Sequence, residues 1–128
     1  MKFKSPIVTS KLNCEEIFHK ISNLNNLKDL LPKEINEYIS TNETCSFKID
    51  NLPKINLKIK DKISFEKISL IAIDSQVPFK MNCHFKEINK ITNVYFEIDA
   101  EINFMMKIVV EKPLVSLLDK LSSKVKDL

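Results

Sequence analysis

Apolar and polar residues alternate from residue 2 to residue 10, with Phe3, Ser5, Ile7 and Thr9 on one side and Lys2 and Lys4 on the other. That spacing predicts a first strand. "NCEEIFHKI" then changes to helical spacing: Asn13 is placed to cap the helix, Glu16 follows three residues on, and Cys14, Ile17, Phe18 and Ile21 form its apolar stripe. "NNLKDLLP" reads as a second short helix, stopped by Pro32. From residue 34 the period returns to two, predicting strands near 34–40, 44–50, 54–61, 65–74, 78–88 and 92–102. The joints "STNET", "DNLP", "DK", "DSQ" and "NKIT" are short enough for antiparallel hairpins. A last helix, capped by Asn103, runs from about Phe104 to Asp127. Its stripe is Met106, Val110, Leu114, Leu117, Leu118, Leu121 and Val125. Pro113 cannot donate to the Val109 carbonyl, so a bend is expected between the two halves.

The order defines an α+β chain: a seven-stranded antiparallel curved sheet, two short helices after the first strand, and a long C-terminal helix. A sheet with one apolar face needs that face covered. The last helix, about 35 Å long, is the element with the reach to do it. The 128 residues predict a single domain spanning 1–128.

Composition narrows the chemistry. The chain has no Gly, and all twenty of its basic residues are Lys. Without Gly there is no dinucleotide fingerprint or Walker-type phosphate loop, and tight turns must use Asn, Asp or Pro. Without Arg there are no guanidinium forks for phosphates or guanine edges. The net charge of +3 is too mild for a nucleic-acid partner. Cys14, Cys45 and Cys83 fit neither a disulfide framework nor a zinc pattern. No apolar run approaches the ~20 residues of a membrane span, and the first residues lack a signal peptide's apolar core. A reduced, cytoplasmic protein is the expectation.

Two long segments carry a family resemblance. "SKLNCEEIFHKISNLNNLKDLLP" resembles the opening of the START-like superfamily, the SRPBCC or helix-grip fold of the birch-pollen allergen. "INFMMKIVVEKPLVSLLDKLSSKV" resembles the closing helix of its small bacterial members. The chain departs from the pollen-allergen branch in having "STNETCS" where that branch has a Gly-rich loop. The resemblance implies a sheet gripping the long helix around an apolar cavity for lipids, polyketides or similar molecules. Some relatives are cyclases or dehydratases.

Strand parity gives the candidate lining. Phe47, Ile55, Leu57, Phe79, Met81, Phe85, Phe96 and Ile98 point inward from the strands. Met105 and Val109, on a surplus apolar face of the last helix, are assigned to the cavity wall. Ser5, Thr9 and Tyr38 are the candidate polar contacts. No carboxylate, Lys or His shares the inward faces, so no catalytic residue, metal ligand or cofactor is assigned. The expected function is a small soluble binding protein for a hydrophobic molecule. The alternative is a protein-interaction or homodimerising module with a filled core, and a cyclase-type enzyme ranks third.

Overall fold

The computed structural model describes residues 1–49, 52–74 and 78–128. Helix α1 (Cys14–Ile21) begins as its sequence dictates: the Asn13 side chain accepts the Glu16 N–H at 2.9 Å. Glu87, from a distant strand, accepts the Cys14 N–H at 2.9 Å, so a second orphan donor of the helix end is satisfied. Its stripe of Cys14, Ile17, Phe18 and Ile21 is buried. The second predicted helix is one 3₁₀ turn, Leu27–Leu30, finished before Pro32.

Eight strands follow the predicted period: β1 (Lys2–Lys4), β2 (Val8–Ser10), β3 (Ile35–Ser40), β4 (Thr44–Ile49), β5 (Ile55–Ile63), β6 (Lys67–Ala72), β7 (Phe79–Ile88) and β8 (Ile91–Ala100). They form one antiparallel sheet in the order β1-β8-β7-β6-β5-β4-β3, with β2 also paired to β8. Residue 50, read as the end of a strand, and positions 50–51 and 75–76 of two predicted joints lie outside the described residues. The β5–β6 turn falls at Ser64–Glu66, beyond the "DK" predicted for it, because β5 and β6 extend past the core as an exposed hairpin. Gly-free turns take their left-handed positions from other residues: Asn89 (φ 52°) and Lys90 (φ 67°) close β7 onto β8. Phe65 (φ 64°) closes β5 onto β6, held there by edge-to-face packing on Phe18 at 5.5 Å.

The predicted first strand is broken in two. Pairing passes from Lys4↔Glu97 to Val8↔Val94, so four steps along this strand match three along β8. The extra residue sits at Ser5–Pro6, where proline has no N–H for the ladder. Ser5 closes the gap: its N–H donates to the Phe96 carbonyl, and its hydroxyl accepts the Phe96 N–H, both at 2.8 Å. One inserted residue reverses parity for everything after it. Phe3 therefore faces the core, but so do Val8 and Ser10, while Ile7 and Thr9 face out.

Helix α2 (Phe104–Lys126) starts at Asn103, whose side chain accepts the Met106 N–H at 2.8 Å, and runs unbroken through Pro113. Its second half is core: Leu117, Leu118, Leu121 and Val125 are at most 5% exposed. The helix packs over β1, β2 and β8 and against the 3₁₀ turn. Its first half, by contrast, contributes no fully buried residue. Met106, Val110 and Leu114 are only half-buried, although they continue the same stripe. Leu118→Ala should therefore cost about 3 kcal/mol in urea unfolding, as transfer and cavity terms add. Ile108→Ala, on the exposed front half, should change stability by no more than about 0.5 kcal/mol.

Candidate functional site

The gap under the front half of α2 is a cavity of about 310 Å³. One wall is the helix, through Met106, Val110 and Leu114. The floor is the ends of the strands: Ile55 at the start of β5, Phe79 at the start of β7, and Ala100 and Ile102 at the end of β8. Leu52, Pro53, Lys54 and Asp74, in the loops before β5 and after β6, complete the rim. Strand ends place these residues together because β5, β7 and β8 all begin or finish at the same end of the sheet. Among the described lining residues Lys54 and Asp74 are the ones that can ionise, and both are exposed.

Two of the ten apolar candidates, Ile55 and Phe79, line this cavity. Phe47, Leu57, Met81, Phe85, Phe96 and Ile98 do point inward, but they are 1–6% exposed and packed into the core. Large side chains from the strands fill much of the grip, and among the described residues an apolar cavity opens where the front of the helix stands off. Met105 and Val109 are misplaced by the sequence argument: they are 77% and 64% exposed. The helix keeps one stripe toward the sheet along its length, so Met106 and Val110 form the wall and their neighbours turn to solvent. Helical spacing had already grouped Met106, Val110 and Leu114. Nothing in the joint "DNLP" marked Leu52 and Pro53.

The polar candidates serve the fold. Ser5 is occupied by the Phe96 backbone. Thr9 faces out and donates to the Asn93 side chain at 2.9 Å. Tyr38 stacks on Phe47 and donates to the Leu24 carbonyl at 2.6 Å, tying β3 to the turn after α1. Burial, with Cys45 beside it, raises that phenol well above its ordinary pKa. The three thiols are free and buried. Burial pushes Cys45 up to about 11, the Tyr38 hydrogen bond opposing it weakly, and holds Cys83 well above the usual thiol range. Cys14 is raised by burial, then by Glu87 and Glu66. None is a thiolate nucleophile at neutral pH.

A curved antiparallel sheet closed by a long C-terminal helix, with a void between them, is the helix-grip architecture, and the chain has the START-like fold. Solved structures with that fold match it from end to end. A START superfamily protein of Mycobacterium smegmatis matches with a TM-score of 0.69 at 12% identity, over 98% of this chain and 97% of that one. The norcoclaurine synthase of Thalictrum flavum, a point mutant bound to a transition-state analogue, gives a TM-score of 0.71 at 14% identity, covering 99% of this chain and 94% of its own. The XoxI protein of Bacillus cereus gives 0.68 at 14%, covering 98% and 96%. No protein-family model and no curated protein sequence matches the chain.

Outside the cavity, the outer face of the sheet carries a partly buried polar cluster around Glu97. His84 Nε2 lies 2.7 Å from Glu97 Oε1, and the His84 ring stacks on Tyr95 with centroids 4.5 Å apart. Asn82 donates to the same carboxylate oxygen at 3.4 Å. The register places Asn82 directly across from Glu97 and pairs Lys80 with Asp99. Partial burial acts to raise the Glu97 carboxyl, but hydrogen bonds from His84 and Asn82 and the attraction of His84 and Lys2 outweigh it and hold it below its usual 4.5. A depressed folded pKa contributes stability above the unfolded value, lost as pH falls through the folded one. Glu97→Gln should lower stability by about 1 kcal/mol at neutral pH and flatten the loss below about pH 4.5. Urea midpoints measured from about pH 6 down to pH 3 give the comparison.

Proposed function

We propose that the protein binds a small hydrophobic molecule in the cavity between the sheet ends and the front half of α2. The observation that carries this is a cavity of about 310 Å³ walled by Ile55, Phe79, Ile102, Met106 and Val110. It lies at the lower end of the roughly 300–1,000 Å³ usual for small-molecule sites, and its apolar walls and thioether suit ligands of varied outline. Burying about ten methylenes gains on the order of 8 kcal/mol. Association opposes this with roughly 4 kcal/mol or more. The remaining ~4 kcal/mol corresponds to about millimolar binding, so a tight ligand must also reach the polar rim at Lys54 and Asp74. An apolar body with a polar end fits best.

The polar rim bears on the enzyme alternative as well. The norcoclaurine synthase match has the same fold, but acid–base chemistry needs an ionisable group within reach of the substrate. Among the described lining residues, Lys54 and Asp74 on the rim are the candidates for that role, and both are open to water. We therefore rank binding above catalysis. Three buried free thiols fit a reducing, cytoplasmic setting. Titration with the apolar fluorophore 1-aminoanthracene tests the site. Val110→Trp, filling the cavity from the half-buried side of the helix, should weaken uptake at least tenfold without unfolding the protein. Equal uptake by the variant, or none by the wild type, would sink the proposal.

A further inference from the structure

Behind the cavity wall, α2 has a second apolar face. Phe104, Met105, Ile108 and Val109 are 72%, 77%, 67% and 64% exposed, and no element of the described residues covers them. At about 100° per residue these four share one side of the helix, while Met106, Val110 and Leu114 share the other. A single two-turn segment is thus apolar outward to solvent and inward to the void. With about 150–250 Å² for a large side chain, those exposures leave on the order of 500 Å² uncovered. That is near the upper end for an ordinary monomer surface, where such patches are often functional.

Area and charge choose the occupant. Two copies joined through this patch would bury on the order of 1,000 Å² in total, short of the roughly 1,600 Å² of a standard stable interface. A bilayer needs no matching partner shape; it needs an apolar face with polar flanks. Lys107, Glu111 and Lys112 supply the flanks, and Lys107 and Glu111 pair at 3.8 Å. Among the described residues around the patch and the rim, Lys54, Lys107 and Lys112 are matched by Asp74, Glu101 and Glu111, so this surface is close to neutral. We infer that the front of α2 is a lipid-docking surface that inserts Phe104, Met105, Ile108 and Val109 into the interfacial region of a bilayer. The near-neutral charge makes the binding apolar rather than electrostatic, so anionic lipid adds little.

The adjacent placement of Met105 beside Met106 and Val109 beside Val110 sets the docking face against the cavity wall. A hydrophobic ligand then passes between bilayer and cavity without crossing open water. That route rests on the binding function proposed above; the docking surface itself does not.

Co-sedimentation with phosphatidylcholine vesicles, with and without phosphatidylserine, tests the surface. The wild type should bind both preparations to within about threefold, and added salt should leave binding unchanged. Met105→Asp with Ile108→Asp, at positions whose side chains are already in water, should reduce binding at least tenfold. The same double variant should keep its urea midpoint and its uptake of 1-aminoanthracene in solution, which separates loss of docking from loss of the cavity. Vesicle binding unchanged in the double variant overturns the inference, as does a folded wild type that ignores both vesicles. Binding that appears only with phosphatidylserine and vanishes with salt assigns it to the lysines and also overturns it. So does a stable dimer in sedimentation equilibrium that the double variant dissociates.

Discussion

The anchoring of α2 by its second half governs everything else of interest in the molecule. Leu117, Leu118, Leu121 and Val125 are sunk into the sheet's apolar face and fix the helix axis. Each fully buried side chain of this kind contributes about 1.5–3 kcal/mol by burial. Among the described residues no comparable contact holds the first half, which projects over the ends of β5, β7 and β8. The cavity is therefore a consequence of a rigid helix fixed at one end over a twisted sheet. Pro113 sits at the junction: it removes the donor for the Val109 carbonyl at the point where packing gives way to void.

Beyond the cavity the described interior is occupied by large side chains: Phe47, Leu57, Met81, Phe85, Phe96 and Ile98 are buried in one core cluster, with Phe85 edge-to-face on Phe18 of α1. Buried polar side chains are committed as well. Ser5 completes the β1–β8 ladder, and the Thr92 hydroxyl donates to the Leu12 carbonyl at 2.9 Å. With Tyr38 bound to Leu24, little hydrogen-bonding capacity is left over inside the fold for a ligand. For the ligand proposed above, selectivity would come from shape and from the rim, where Lys54 and Asp74 meet water.

Building such a sheet without glycine leaves visible marks. Glu37, Phe65, Asp74, Asn89 and Lys90 all take positive φ. Asn and Asp tolerate that region through their own short polar side chains, whereas a Phe does so only when held. Phe65 is held by Phe18 on one side and by the Cys14 thiol, which donates to its carbonyl at 2.7 Å, on the other. The bulge at Glu37 also bends the edge strand β3, a feature that discourages edge-to-edge pairing.

The sequence by itself determined the elements and their order. Period-two alternation located the strands after residue 34, the two Asn caps located the helix starts, and helical spacing located the stripe that anchors α2. These are properties of neighbouring residues, legible wherever the backbone stays regular. Tertiary structure alone decided what lay beyond that. A single inserted residue at Ser5–Pro6 turned Thr9 outward, because parity carries no memory across a bulge. Which inward residues face a void and which face one another depends on how far the helix stands from the sheet. That distance is set by contacts at Leu117–Val125, remote in sequence from Ile55 and Phe79. The same geometry put Met106 and Val110 on the cavity and left Met105 and Val109 in water; helical spacing had separated the two faces but had not decided which of them meets the void.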